Sequence, residues 1–187
     1  MSTSRYWFNY RHTTNALTIY RRLRRAGVSD DNIVLMLADD FACDPRNPER
    51  GRMYNDLEHS VDIYSDVLVD YRGNDVSARN FLNVLSGRHV AGTAATQRLQ
   101  SDGNSDLLVY MTGHGGDEFL KFRDFEEMTA NDLAIAISEA HIGQRYRELD
   151  ALVLAPRLRR SRTRVIRLTA YAVLVLHRAN VDNGRYV

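Results

Sequence analysis

The stretch YMTGHGGDEFL places His114 directly after an apolar run and among three glycines, Gly113, Gly115 and Gly116. An imidazole with a pKa near 6.5 can take up and release a proton near neutral pH, so His114 is a candidate general base. The glycines predict a backbone that can adopt positive φ angles and approach a substrate closely. Backbone N–H groups in such a turn can also stabilise an oxyanion.

A catalytic histidine needs a nucleophile to activate, and the only cysteine in the sequence is Cys43. Cys43 lies in the proline-bounded loop FACDPRNP, where nothing in the sequence places it beside a base, so a small thiol without a catalytic role is the favoured interpretation. Asn9, in WFNYRH, can orient an imidazole as in Cys-His-Asn sites, although from the residues alone an ordinary structural asparagine is the favoured interpretation.

Asp39 and Asp40 follow the apolar run NIVLML, where a buried strand is expected to end. Paired carboxylates at a strand end can hold Mg²⁺ or accept a phosphoryl group. The sequence has no phosphate-binding glycine loop to accompany them. A solvated loop is therefore the favoured interpretation, and an Asp-dependent metal phosphohydrolase is kept as an alternative.

Strand and helix patterns alternate along the chain and must position these side chains. The predicted helices begin near Thr13, Ser77 and Thr129, the last with a capping box that includes Asp132. The predicted strands are residues 5–10, NIVLML, a hairpin over VDIYSDVLVDYRG, DLLVYM, EFLKF and ALVLA. This alternation predicts an α/β sandwich with a mostly parallel sheet. Functional residues are then expected at the carboxyl ends of the strands.

Composition and charge narrow the function classes. The 187 residues suit one globular domain, the single cysteine excludes an internal disulfide, and no apolar run is long enough to span a membrane. The N-terminus has no secretory signal pattern. Residues 151–187 hold eight arginines and one acid, a net charge of +7, against −6 for residues 1–150. This basic segment lacks interleaved aromatics and any nucleic-acid-binding motif, so no nucleic-acid partner is expected.

Four stretches of the sequence closely resemble the family of GPI-anchor transamidase catalytic subunits: SRYWFNYRHTTNALTIYR, IVLMLADDFACDPRNP, ARNFLNVLSGR and LLVYMTGHGGDEFLKFRDFEEMTANDLAIAI. That family belongs with legumain among the caspase-like cysteine peptidases. The resemblance runs from Ser4 to Leu149, and LADDFACDPRNP together with YMTGHGG separates it from legumain. It implies a caspase-like three-layer sandwich with a mostly parallel central sheet.

The resemblance also implies a reaction. Members of the family cleave a C-terminal signal from a proprotein on the lumenal side of the endoplasmic reticulum membrane, through a thioester on cysteine that the ethanolamine amine of a GPI glycolipid resolves. His114 matches the catalytic histidine, Gly115 the glycine whose N–H helps bind the oxyanion, and Asn9 the asparagine that orients the histidine. Cys43 matches a cysteine that forms a disulfide with a partner subunit.

Partners and cofactors follow from the same resemblance. The implied partners are the other transamidase subunits, with the proprotein signal and the GPI glycolipid as substrates. The chemistry requires no cofactor. Asp30 and Asp70 match positions that help hold a structural calcium ion.

Two departures from the family pattern imply a copy truncated at both ends. The family's first buried strand precedes the SRYWFNYR region. After RYREL the family continues with a strand that ends in Asp-Thr-Cys and supplies the nucleophile, whereas this chain continues DALVLAPRLRRSRTRV and has no cysteine after His114. The predicted organisation is a partial caspase-like domain over residues 1–150 and a divergent Arg-rich tail over residues 151–187.

A reading-frame shift or a truncated gene model near residue 149 accounts for both the missing cysteine and the basic tail. It predicts that residues 151–187 pack poorly or are disordered. The chain is then expected to be inactive by itself. A non-catalytic protein that still binds the other subunits is the main alternative.

Overall fold

A computed structural model describes residues 1–154 and the backbone of residues 163–168. Within these residues no helix is long and apolar enough to cross a membrane. The helices and strands of the described part follow in chain order: α1 Tyr10–Arg25, β1 Met36–Leu37, β2 Tyr71–Arg72, α2 Ala78–Ser86, β3 Asp106–Thr112, β4 Gly115–Gly116, β5 Phe119–Phe122, β6 Glu126–Thr129, α3 Ala130–Ile142, β7 Glu148–Leu154 and β8 Thr163–Leu168.

The central sheet is built from two parallel pairs joined by the first residues of the chain. β1 pairs with β2 and β3 pairs with β7, both in parallel, and β8 adds an antiparallel edge to β7. Ser2 bridges Leu37 of β1 and Thr112 of β3. Residues 1–4 therefore occupy a strand position between β1 and β3, and the parallel α/β architecture is confirmed over these strands.

The sheet separates two apolar cores, and residues 35–38, in and beside β1, contact both of them. Leu35 and Leu37 pack with the buried residues of α1, whereas Met36 and Ala38 pack with those of α2 and α3. Successive side chains of a strand point to opposite faces, so a strand that is apolar throughout must be covered on both sides. The continuous run NIVLML is explained by this two-sided burial.

The helix signals in the sequence are confirmed for α2 and α3, whereas α1 begins at Tyr10, with Asn9 as its N-cap, and not near Thr13 as predicted. Asn80 N–H donates to Ser77 Oγ at 3.1 Å at the start of α2, and Gly87 ends that helix with a φ of 75°. Thr129 and Asp132 form the reciprocal capping box of α3. These signals are local, since each depends on side chains within one helical turn.

Two strand predictions are wrong. Residues 5–10 form a 3₁₀ turn, Trp7–Asn9, and the start of α1, because the sheet position is taken by residues 1–4. The hairpin predicted over residues 61–73 is absent from the structure. Asp62 Oδ1 instead accepts the N–H groups of Met53 and Tyr64, and only the short β2 pairs in the sheet.

β7 continues through the predicted boundary after residue 150. Ala151 is 1% exposed, and Leu154 pairs with Thr112 of β3, so residues 151–154 are part of the sheet and not of a poorly packed tail. β8 pairs with β7 through its backbone. Residues 155–162 and 169–187 lie outside the described residues, so the division into a domain and a tail stays a prediction.

We expect Gly113→Ala to lower the stability of the fold. A Cβ at Gly113 would collide with Thr3 Oγ1 and come within 3.3 Å of Ser4 Oγ, where residues 1–4 pass the end of β3. Overpacking of this kind costs about 1–3 kcal/mol, and each kcal/mol lowers the melting temperature by roughly 2–4 °C in a chain of this size. Thermal unfolding followed by circular dichroism measures the difference.

Gly103→Ala is the matched control for this prediction. A Cβ at Gly103 would meet nothing closer than Gln144 O at 3.6 Å. Equal melting temperatures for the two variants would contradict the prediction, because they would show that Thr3 can move away from the added Cβ without a loss of stability.

Candidate active site

His114 and Asn9 meet although 105 residues separate them. His114 lies in the turn between β3 and β4, and Asn9 lies at the N-terminal end of α1. The ring atom Nε2 of His114 is 2.7 Å from Oδ1 of Asn9, whose side chain is fully buried. The structure thus brings together the two residues that the sequence singled out for a histidine–asparagine pair.

The orientation of the Asn9 amide fixes which ring nitrogen carries the proton. Asn9 Nδ2 donates to the carbonyl oxygen of Arg5 at 2.6 Å. A carbonyl oxygen can only accept, so the amide nitrogen must face Arg5 and the amide oxygen must face His114. His114 Nε2 therefore donates to Asn9, and Nδ1 keeps its lone pair. Either neutral tautomer has one basic nitrogen, and here it is Nδ1.

The backbone of His114 is held on both sides. Its N–H donates to Ser4 Oγ at 3.3 Å, and its carbonyl oxygen accepts the N–H of Lys121 at 2.7 Å. Thr3 Oγ1 donates to the carbonyl oxygen of Lys121 at 2.6 Å. Residues 1–4 and β5 therefore clamp the turn that carries the imidazole.

Gly115 presents its backbone away from β5. The bond from Lys121 N–H to His114 O makes residues 114 and 121 a hydrogen-bonded pair. Gly115 and Leu120 are the next pair along the antiparallel ladder. Hydrogen-bonded and non-hydrogen-bonded pairs alternate in such a ladder, so the N–H of Gly115 points away from β5 and is available to a ligand on that side.

The glycines around His114 are needed for space and not for unusual backbone angles. None of Gly113, Gly115 and Gly116 has a positive φ, so that prediction is wrong. A Cβ on Gly113 would collide with Thr3 Oγ1, and a Cβ on Gly116 would collide with the ring of Phe119. Small residues here let the segment of residues 1–4 and the β4–β5 hairpin come close to the imidazole.

Burial keeps the imidazole of His114 neutral near pH 7. Partial burial lowers the pKa of His114 below its usual value because water no longer solvates the charged form. The carboxylate of Asp124 opposes this shift, and the positive charges of Arg11 and Lys121 add to it.

A second histidine, His12, packs against His114, a contact that the sequence analysis did not predict. His12 is 2% exposed, and its ring lies edge-on to that of His114 with centroids 5.1 Å apart. His12 Nδ1 is hydrogen-bonded to Thr112 Oγ1 at 2.9 Å. Asn9 and His12 are three residues apart on a helix start and so share a face, which is the signal in NYRH that could have revealed it.

Cys43 is exposed and is not hydrogen-bonded to His114. Its backbone N–H donates to Asp40, and the negative charge of Asp40 is the main reason that the pKa of the Cys43 thiol is raised. A raised thiol pKa disfavours the reactive thiolate. Cys43 therefore does not have the surroundings of a nucleophile, as expected, and its disulfide to a partner stays a prediction.

Asp39 and Asp40 are engaged in structural contacts. Asp39 Oδ2 accepts the N–H of Tyr6 at 2.8 Å, and its Oδ1 accepts the N–H of Asp40 at 2.9 Å. Asp40 lies 3.8 Å from Arg72 in an ion pair. Residues 1–154 contain no group of three or more His, Cys, Asp or Glu side chains that could hold a metal ion. Nothing in the described structure supports the phosphohydrolase alternative.

Asp30 and Asp70 lie close enough to interact electrostatically. Asp30 Oδ1 accepts the hydroxyl of Tyr20 at 2.6 Å, and Asp70 Oδ2 accepts the N–H of Leu35 at 2.8 Å. Burial raises the pKa of Asp70 to about 6, and the charge of Asp30 adds to that shift. Two carboxylates that repel each other suit a hard cation such as calcium, which prefers oxygen ligands. A calcium ion at this pair stays a prediction, since the described residues supply only these two carboxylates.

Comparisons with known proteins place this site in a family context. The model of the Peptidase C13 family matches residues 1–156. The chain is 49% identical over 154 residues to a putative GPI-anchor transamidase of Drosophila melanogaster, covering 82% of this chain and 43% of that protein. It is 47% identical over 150 residues to the GPI-anchor transamidase of Saccharomyces cerevisiae, covering 80% and 36%. It is 50% identical over 148 residues to the human GPI-anchor transamidase, covering 79% of this chain and 38% of that protein.

The resemblance drawn from the sequence is confirmed over the matched residues. The chain spans about two fifths of the length of the curated relatives that it matches.

Buried His12 predicts a loss of stability at mildly acidic pH. Burial, aided by the charges of Arg11 and His114, lowers the pKa of His12 from 6.5 to about 4. Its neutral form therefore contributes stability that is fully present above pH 6.5 and is lost as the pH falls toward 4. Between pH 7.5 and pH 5 we expect wild type to lose about 1–2 kcal/mol more than His12→Asn, measured by urea unfolding at both pH values.

His141→Asn is the control for this measurement, because His141 is exposed. It should keep the wild-type dependence on pH. If His12→Asn lost as much stability as wild type between pH 7.5 and pH 5, the protonation of His12 would not be the cause of that loss.

The hydrogen bond from His114 to Asn9 predicts how the pKa of His114 responds to a charge at position 9. In Asn9→Asp a carboxylate would replace the amide oxygen 2.7 Å from Nε2. An adjacent negative charge favours the imidazolium, so the pKa of His114 should rise by about 1 unit or more. Titration of the imidazole nitrogens by NMR measures this. Asn104→Asp, at an exposed loop position, should leave the pKa unchanged; an unchanged value in Asn9→Asp would contradict the pairing.

Proposed function

This chain belongs to the peptidase C13 family, and we propose that it is a homologue of the GPI-anchor transamidase catalytic subunit in which His114 is the acid–base group. The observation that carries the proposal is the 2.7 Å contact between His114 Nε2 and Asn9 Oδ1. It supports a ring held by Asn9 on one side with a basic Nδ1 on the other, which suits proton transfer to and from a thiol.

The proposed chemistry is acyl transfer through a thioester. A thiol loses its proton to Nδ1 of His114, and the thiolate attacks the carbonyl carbon of the proprotein at the cleavage site. The tetrahedral oxyanion accepts a hydrogen bond from the N–H of Gly115. His114 then returns the proton to the departing amine. The ethanolamine amine of a GPI glycolipid attacks the thioester and gives a proton to His114. The carbon–sulfur bond breaks as the new amide forms, and the released thiolate takes that proton back.

The carboxyl end of β7 is the proposed origin of the nucleophile. Thr112 of β3 pairs with Leu154, and the N–H of Gly113 donates to Leu154 O at 3.1 Å, so the last described residue of β7 adjoins the turn that holds His114. In this sequence Leu154 is followed by Ala-Pro, and Cys43 is the only cysteine. The 187-residue chain by itself is therefore expected not to turn over.

The remaining parts of the proposal follow the family reaction. The proposed location is the lumenal side of the endoplasmic reticulum membrane, with the other transamidase subunits as partners and no nucleic acid involved. Exposed Cys43 supports a disulfide to one of those subunits. Asp30 and Asp70 are proposed to help hold a structural calcium ion, which has no role in the chemistry.

A non-catalytic subunit-binding protein is the second candidate function. It is favoured by one specific observation: Cys43 is exposed on a folded surface while the sequence supplies no second cysteine near His114. Such a protein would co-purify with the other subunits through Cys43 and show no turnover. Loss of that association in Cys43→Ser, with an unchanged fold, would support this role.

A cysteine restored after β7 tests whether His114 can activate a thiol. In a Cys43→Ser background we would place a single cysteine at position 155 or 156 and measure its rate of alkylation by iodoacetamide against pH. A thiol beside a histidine has a lowered pKa. At pH 6.5 we expect alkylation at least about 10-fold faster than for an unperturbed thiol of pKa near 8.5.

His114→Ala in the same background should remove this rate advantage. The matched control is Leu57→Cys, at a fully exposed position, which should react as an ordinary thiol with or without His114. Equal rates at all three cysteine positions would contradict the proposed role of His114. A rate advantage that persisted in His114→Ala would point to a different base.

A further inference from the structure

We propose that Asp39 is a positioning residue for His114, acting through the turn of residues 5–9. Asp39 contacts no reacting atom in the proposed chemistry. Its carboxylate binds the backbone N–H of Tyr6, and the turn of residues 5–9 holds Asn9 against His114. The evidence is a continuous path of hydrogen bonds together with an unfavourable backbone angle in the middle of it.

Tyr6 has backbone angles that a tyrosine rarely adopts. Its φ is 71° and its ψ is 143°, and its side chain is 53% exposed, so burial of the ring does not hold it in place. A residue with a side chain keeps a positive φ only where its surroundings enforce it, and such residues cluster at functional sites. The N–H of Tyr6 donates to Asp39 Oδ2 at 2.8 Å. This bond is the contact that selects the unusual conformation.

The turn that Asp39 holds is the one that orients Asn9. Asn9 N–H donates to Tyr6 O at 2.9 Å, and Asn9 Nδ2 donates to Arg5 O at 2.6 Å. Rotation of the peptide between Arg5 and Tyr6 would move both the N–H that binds Asp39 and the carbonyl that binds the amide, because they belong to one planar unit. Asp39 therefore fixes the Arg5 carbonyl, the Arg5 carbonyl fixes the Asn9 amide, and the amide fixes the tautomer of His114.

Asp39 is placed to do this by the sheet. Ala38 N–H donates to Ser2 O at 3.0 Å, a backbone bond between the β1 segment and residues 1–4. Asp39 follows directly, and its carboxylate binds the backbone of Tyr6 after the chain has left the sheet. The other carboxylate oxygen accepts the N–H of Asp40 at 2.9 Å, which fixes the rotation of the group.

The adjacent Asp40 offers a matched control. It is an exposed carboxylate one residue away, and its partners are Arg72, the hydroxyl of Tyr64 and the N–H of Cys43. None of these belongs to residues 5–9. A change at Asp40 removes the same charge from nearly the same place without touching the path to Asn9.

The test uses ¹⁵N-histidine-labelled 187-residue protein. The tautomer and the pKa of His114 are measured by NMR in wild type, Asp39→Ala, Asp39→Asn and Asp40→Ala. In Asp39→Ala we expect a mixture of the two neutral tautomers of His114. Asp39→Asn should lie between Asp39→Ala and wild type, because its amide oxygen can still accept the N–H of Tyr6 but its amide nitrogen cannot accept the N–H of Asp40. Asp40→Ala should resemble wild type.

The tautomer separates positioning from simple electrostatics. The groups that face His114 are Asp124, Arg11 and Lys121, with the neutral ring of His12 against it. Loss of a carboxylate by charge alone would lower the pKa of His114 but leave its hydrogen bond to Asn9, and therefore its tautomer, unchanged. Mixed tautomers in Asp39→Ala support positioning, whereas retention of the wild-type tautomer would overturn the inference. Equal behaviour of Asp39→Asn and Asp39→Ala would also overturn it.

A further variant covers the case in which Asp39→Ala does not fold. Asp39→Glu keeps the charge but displaces the carboxylate by one methylene, so it should show more of the second tautomer than Asp39→Asn. The reverse order would overturn the inference. The inference rests on the proposed role of His114, but its readout requires no nucleophile. If the Asp39 variants keep the wild-type tautomer but the cysteine after β7 shows the His114-dependent alkylation rate, the proposed function stands without the role of Asp39. If the tautomer changes but the alkylation rate does not depend on His114, only the structural link from Asp39 to His114 stands.

Discussion

The insertion of residues 1–4 between β1 and β3 is the interaction on which the rest of the structure depends. Ser2 bonds to the backbone of Met36 and Ala38 on one side, and the N–H of Thr3 donates to Thr112 O on the other. Without these bonds the two parallel pairs of the sheet would share no ladder. The same four residues reach the candidate site, since Ser4 Oγ accepts the N–H of His114. The same four residues therefore complete the sheet and hold the backbone of the candidate site.

The glycines around His114 leave room for neighbouring segments of the chain to pack against the turn that carries it. The segment of residues 1–4, the end of β3 and the β4–β5 hairpin converge within a few ångströms of the imidazole, and side chains on Gly113 or Gly116 would collide with Thr3 or Phe119. This crowding also excludes water from part of the ring and of its neighbour His12, which keeps both neutral near pH 7. A neutral ring with a defined tautomer is what proton transfer from a thiol requires.

Three aspartates use their carboxylates to bind backbone N–H groups of other residues. Asp39 binds Tyr6, Asp62 binds Met53 and Tyr64, and Asp70 binds Leu35. This use of carboxylates accounts for the loop around residues 61–70, where the sequence predicted a hairpin, and for the backbone contacts of Asp39. Asp70 is the costly case: burial raises its pKa, so its contribution to stability falls as the pH rises from about 4 through 6.

The sequence by itself determined the local features and the identity of the key residues. Capping residues, the apolar stripe of α1 and continuous apolar runs predicted the helices, the main strands and the parallel α/β class, because each signal acts within one turn or one strand. The resemblance singled out His114, Asn9 and Gly115. Tertiary structure alone decided the hydrogen bond from His114 to Asn9, the contact with His12, the burial of residues 1–4 in the sheet and the part that Asp39 plays. These depend on groups from 33 to 110 residues apart, and no local pattern records which distant backbone a side chain will meet.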